Sequence, residues 1–99
     1  MEANKIIITG GATRIGAAIA EKLSGPGKEI VIHFNKSKSN AERLKKELSK
    51  NGTKIYLVKA DLSEEEDINK IIKFAKSKLK YFDCLINNAS LFENDKLEN

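Results

Sequence analysis

The 99-residue chain has one cysteine, one histidine, one proline and no tryptophan. A lone Cys84, inside the apolar run "CLI", excludes an internal disulfide and a cysteine-built zinc site, and reads as a buried small hydrophobe in a reducing, cytoplasmic setting. With His33 as the only imidazole there is no H-E-x-x-H pair and no triad, so metal catalysis and triad hydrolysis have no support. No stretch approaches the roughly 18 apolar residues of a membrane-spanning helix. The start of the chain, with Glu2 and a glycine turn opening at Gly10, lacks the apolar region of an export signal. Aromatic residues make up 6% of the chain and do not gather with the basic ones, which argues against a nucleic-acid footprint.

What is present is ordinary for a globular chain: 40% hydrophobic and 32% charged residues, with a formal charge of +4 that comes almost wholly from lysine. A chain of this length suffices for one small domain, burying about 60–65% of its unfolded surface. The order of elements follows from hydrophobic period. "KIIIT" at residues 5–9 is apolar on both faces and β-branched, the mark of a strand covered by helices above and below. Ile15, Ala18, Ile19 and Leu23 then recur at helical spacing until "SGPGK" stops the helix. "EIVIHF" at residues 29–34 is a second strand. Ala41, Leu44 and Leu48 form the stripe of a second helix closed by Asn51 and Gly52, and "TKIYLVKA" at residues 53–60 is a third strand.

Ser63 is the expected N-cap of a third helix, with Glu66 completing a capping box and acidic residues favouring the helix N-terminus. Ile68, Ile71, Ile72, Ala75 and Leu79 form its apolar stripe, and "FDCLIN" at residues 82–87 is a fourth strand. The rhythm is β-α-β-α-β-α-β, an α/β class whose crossovers are long enough for parallel pairing. Residues 1–92 are expected to form one domain and residues 93–99 a polar tail.

The chemistry-bearing stretch is "TGGATRIG" at residues 9–16, between a buried strand and a helix. Gly10, Gly11 and Gly16 stand where a tight turn and close backbone approach want no side chain, and main-chain amides there can hold a diphosphate with help from the helix dipole. The G-x-G-x-x-G pattern itself is absent, and a turn that merely needs positive backbone angles remains open. About 20 residues beyond such a turn an acid would bind the ribose hydroxyls of NAD. Here the stretch is "HFNKS", without an acid. Lys36 and Ser37, with Arg14, offer cationic and hydroxyl donors suited to a 2′-phosphate, which favours NADP. Asp61 either accepts from an adenine amino group or from local backbone. Asn87 and Asn88 either contact a ligand or brace neighbouring loops.

"TGGATRIG", the pair Asp61–Leu62 and "NNAS" at residues 87–90 resemble, in order and spacing, the cofactor-binding landmarks of the short-chain dehydrogenase/reductase family. Arg14 in place of a glycine, and Ser90 in place of the glycine of N-N-A-G, resemble the NADPH-dependent, pteridine-reductase-like branch. The resemblance implies a truncated Rossmann fold with parallel strand order 3-2-1-4. It implies cofactor contacts at Thr9, Gly10, Arg14, Ile15, Gly16, Asn35, Lys36, Ser37, Asp61, Leu62, Asn88, Ala89 and Ser90, and a substrate-stacking role for Phe92.

Family members carry a Ser, an Asn and a Y-x-x-x-K pair further along the chain. Tyr56 and Tyr81 are not followed by Lys at the fourth position, since Ala60 and Leu85 stand there, and both read as packing residues. His33, near the end of the second strand, reads as structural or as a cofactor-edge residue, with no carboxylate or nucleophile arranged for proton transfer. The expectation is a cofactor-binding N-terminal portion of an NADPH-dependent reductase acting on a pterin-like or small carbonyl substrate, inactive alone. The alternative is a non-enzymatic dinucleotide-binding or protein-interaction module. With strand four at an open edge, the expected partner is a separately encoded second half or another copy of the chain, with no membrane and no nucleic acid.

Overall fold

The computed structural model describes residues 4–88. Within them run β1 (Lys5–Thr9), α1 (Arg14–Leu23), β2 (Glu29–Phe34), α2 (Lys38–Ser49), β3 (Lys54–Lys59), α3 (Glu65–Leu79) and β4 (Cys84–Asn87). The four strands form one parallel sheet in the order β3-β2-β1-β4. This is the Rossmann-type α/β arrangement, with β1 and β2 at its centre.

Strand alternation explains the two cores. Ile6 and Ile8 of β1, Ile30 and Ile32 of β2 and Ile55 of β3 point to one face, where they pack with Ala20 of α1 and with Leu44 and Leu48 of α2. Ile7, Val31 and Val58 point to the other, against Ile71, Ala75 and Leu79 of α3. Ile6, Ile7, Ile8, Ile30, Val31 and Ile32 are all fully buried, each worth about 1.5–3 kcal/mol relative to exposure. A continuous apolar run is therefore the sequence expression of a strand covered on both sides.

Coverage is uneven at the β4 edge. Leu85 stands beside Ile7 in the register, on the face of α3, yet is 50% exposed, and Ile68 of α3 is 45% exposed. Between them lies a cavity of about 180 Å³ lined by Thr9, Leu62, Ile68, Ile71, Ile72, Leu85 and Asn87. Ile68 thus departs from the expected buried stripe, because nothing among the described residues covers the α3 face above β4.

Three further expectations change. Ser63 does not cap α3: it donates from its amide and hydroxyl to Asp61 Oδ1, at 3.0 and 2.8 Å, and Glu64 occupies the cap position without a side-chain bond. The short Asp61 side chain captures Ser63 two residues on, which is the competition an Asx turn offers to a capping box. The fourth strand begins at Cys84 and not at residue 82, because the Asp83 carboxylate turns to accept the amides of Asn4 and Lys5, both at 3.0 Å. Tyr81 is 61% exposed and stacks against the Lys5 ammonium, so it is not a core packing residue, whereas Tyr56 packs at the margin of the α3-side core. Cys84 is free and half-buried.

Candidate cofactor-binding site

All four strands point their carboxyl ends to one rim, where α1 begins. β1 ends at Thr9, and Gly10 follows with φ 65°, a left-handed backbone that a β-carbon disfavours. A β-carbon on Gly16 would run into the Gly10 carbonyl oxygen and come within 2.7 Å of Gly11 Cα. One on Gly11 would stand 2.7 Å from Ile32 Cγ2. The turn therefore lies directly on the first turn of α1 and on the sheet, and its glycines are required by packing as well as by backbone angle.

Thr13 organises the turn. It is the N-cap of α1, its Oγ1 accepting from the Gly16 amide at 3.2 Å and donating to the Gly10 carbonyl at 2.7 Å. The Asn88 side-chain amide donates to the same carbonyl at 3.0 Å and to Thr13 Oγ1 at 3.1 Å. Thr9 donates its hydroxyl to Asn87 Oδ1 at 3.1 Å. From β2, the Gly11 amide donates to the His33 carbonyl at 3.0 Å. Thr13 was not anticipated as a site residue, although a threonine three positions before a helix glycine carries the signal of an N-cap.

This bonding leaves the amides of Ala12, Arg14 and Ile15 without a protein acceptor among the described residues. Arg14 and Ile15 open α1, and Ala12 lies in the turn just ahead of its N-cap; at such a helix start a bound anion is stabilised by unsatisfied N–H groups and by the helix dipole. Arg14 and Ile15 are exposed. Arg14 also lines a cleft of about 250 Å³ between α1 and α2, together with Thr13, Asn40 and Arg43.

At the exit of β2, Asn35 and Lys36 are exposed and Ser37 half-buried. Ser37 occupies the N-cap position of α2 without a side-chain cap bond, leaving its hydroxyl available at the rim. At the exit of β3, Asp61 is held by the Ser63 amide and hydroxyl, which together keep its carboxyl below the ordinary range, with a smaller contribution from the Lys36 ammonium. Asp61 thus makes the local backbone bond that was one of its two readings. Leu62 is half-buried against the α3-side core. Asn88 is buried, and its side-chain amide nitrogen braces the turn, the bracing that was one of its two readings. Ala89, Ser90 and Phe92 lie outside the described residues.

A fixed glycine turn on a parallel sheet, with open helix-start amides at the carboxyl rim, has the architecture of a dinucleotide-binding domain. A family model for short chain dehydrogenases matches residues 4–99. The chain belongs to the short chain dehydrogenase family. It is 34% identical over 92 residues to the short-chain dehydrogenase/reductase FrzI of a Cladobotryum species, which covers 93% of this chain but only 36% of that protein. The chain thus spans about a third of that relative's length. It is 33% identical over 89 residues to the short-chain dehydrogenase/reductase homolog YusS of Bacillus subtilis, covering 89% of this chain and 82% of YusS. Among solved structures, a blue fluorescent protein from a metagenomic library in complex with NADPH superposes with a TM-score of 0.75, at 30% identity over 82% of this chain and 34% of that one.

Among the described residues, no group of His, Cys, Asp and Glu could hold a metal ion, and no helix is long and apolar enough to cross a membrane.

Proposed function

We propose that this chain is the cofactor-binding portion of an NADPH-dependent short-chain reductase, and that it resides in the cytoplasm. The observation that carries the reading is the braced turn at residues 10–16, whose remaining amides have no protein acceptor among the described residues, together with Lys36 instead of an acid after β2. The residues fit the cofactor. The amides of Ala12, Arg14 and Ile15 would take the diphosphate. Arg14, Lys36 and Ser37, with Asn35 beside them, would take the 2′-phosphate, for which a carboxylate at the end of β2 would be repulsive.

When bound, NADPH supplies a hydride. In a complete enzyme the hydride passes to the carbon of a pterin-like imine or a small carbonyl, while an acid gives the matching proton to nitrogen or oxygen. The 99 residues contain no Y-x-x-x-K to supply that proton. The chain alone is therefore proposed to bind without turnover. Ala89, Ser90 and Phe92 are proposed to line the nicotinamide and substrate side.

The thin cover at β4 among the described residues supports a second half, or another copy of the chain, as the partner at this side of the sheet. An element laid over Leu85, Ile68 and Ile72 would fill the cavity there. Calorimetry on the full chain tests the cofactor reading: NADPH is expected to bind more tightly than NADH, and equal or better binding of NADH would defeat it. Co-expression with a segment bearing Y-x-x-x-K is expected to yield a stable complex that oxidises NADPH.

The near-complete coverage of YusS favours a second reading, in which a chain of this length works as a dinucleotide-binding or interaction module without chemistry. Cofactor binding that persists when no Y-x-x-x-K segment yields activity would select it.

A further inference from the structure

His33 is 3% exposed, and both of its ring nitrogens are engaged. Nδ1 lies 3.0 Å from the Gly10 amide, and Nε2 lies 2.7 Å from the Ala60 carbonyl. The Gly10 N–H can only donate and the Ala60 C=O can only accept. The ring is thereby fixed as the neutral tautomer with its proton on Nε2. One side chain on β2 thus ties the exit of β1 to the exit of β3. Its own carbonyl holds the next glycine of the turn, through the Gly11 amide at 3.0 Å.

We infer that His33 is a positioning residue of the glycine turn, a clamp that holds Gly10 only while the imidazole is neutral and lets it go when Nδ1 is protonated. Protonation would set an Nδ1–H against the Gly10 N–H, two donors facing one another in a buried space, so the ring or the turn must move. The Gly10 carbonyl also accepts from Thr13 and Asn88. Displacement of Gly10 would therefore reach the start of α1, where the diphosphate is proposed to sit.

The surroundings oppose one another. Burial pushes the imidazole below its ordinary value, while the bond to Ala60 and the carboxylates of Asp61, after β3, and Asp67, in α3, act the other way and are outweighed. From β1 the ring meets the Gly10 amide, and Lys36 bears on it indirectly, through its electrostatic effect on the Asp61 carboxylate. A histidine held neutral by the fold binds its proton more readily in the unfolded chain. Its contribution to stability is thus present above about pH 6.5 and is lost as the pH falls from there through the lowered folded value.

That the clamped turn holds a dinucleotide rests on the function proposed above, whereas the clamp itself does not. The full-length chain has a single histidine, so a long-range proton–nitrogen correlation spectrum reads its ring without ambiguity. Near neutral pH the expected result is a protonated Nε2 and a bare Nδ1, a titration midpoint below about 6.5, and a Gly10 amide resonance that follows the same curve. An Nδ1–H tautomer, a midpoint at or above the ordinary value, or a Gly10 amide indifferent to the titration would each overturn the clamp. NADPH affinity adds the second arm. His33→Leu is expected to bind about tenfold more weakly. His33→Asn, whose Oδ1 can accept from Gly10, is expected to recover most of the loss and to bind with less dependence on pH than the wild type. A His33→Leu chain that binds as tightly as wild type also overturns the positioning role. If the wild-type ring shows the expected tautomer but NADPH does not bind, the dinucleotide reading fails and the clamp stands. If NADPH binds with the other tautomer, the reverse holds.

Discussion

Gly16 and Thr13 carry the site's tightest constraints at the residue scale. A methyl group at position 16 would meet main-chain atoms of residues 10 and 11, which cannot swing aside as a side chain could. Gly16→Ala is therefore expected to cost roughly 1–3 kcal/mol in urea unfolding, and to weaken NADPH binding more than the stability loss alone accounts for. Lys36 makes the opposite case, being exposed and free of packing demands. Lys36→Glu is expected to leave the unfolding midpoint nearly unchanged while moving cofactor preference towards NADH by about tenfold, as read by paired calorimetric titrations.

Elements, rather than single residues, decide how much could be read in advance. The isoleucine triplet of β1 and the run of β2 announced strands covered on both faces, and the structure buries them fully. The helical stripe of α2 fell where its spacing put it, with Ala41, Leu44 and Leu48 buried, whereas α1 turns Gly16 and Ala20 to the sheet and leaves Ile15 and Ala18 of its expected stripe exposed, because the close approach of the glycine turn sets its buried face. The start of α3 departs from the expected capping box since Asp61, Ser63 and Asp67 are all short side chains close to the same few amides, and only the geometry shows Asp61 taking the Ser63 amide and Asp67 the Asp61 amide at 2.7 Å. In the site, the glycines and the missing acid were legible from pattern. Bracing was one of two readings of Asn88, but its partner, Gly10, 78 positions away, was not legible, because nothing local in sequence encodes it.

The clamp at the opposite rim was equally invisible. Bonds from the Asn4 and Lys5 amides hold the Asp83 carboxyl below the ordinary range, with Lys5 and Lys28 adding smaller electrostatic help. Its folded value lies under the unfolded one. The stabilisation it gives is thus complete above about pH 4 and disappears as the pH falls through the lowered folded value. Asp83→Asn is expected to be less stable than wild type near neutral pH and to converge with it in acid, measured by urea unfolding across a pH series.

For the whole molecule the decisive feature is asymmetry. Among the described residues β2 and β1 are flanked by strands on both sides, while β4 pairs with β1 and carries a half-exposed leucine on the thinly covered face. Self-association through that edge is the expected behaviour of the isolated chain. Leu85→Lys should weaken it by about tenfold or more, seen as a shift towards the monomer in sedimentation velocity, with NADPH affinity unchanged because the substitution lies outside the turn.

The bond from Asn88 back to Gly10 and Thr13 has a bearing on where such a chain can be divided. The turn proposed to hold the cofactor's phosphates is braced by the first residue past β4, so a break placed ahead of that asparagine would remove the brace, whereas one placed behind it would keep it. Evolution or an engineer seeking to part the grip on the nucleotide from the chemistry performed with it would find the natural seam there.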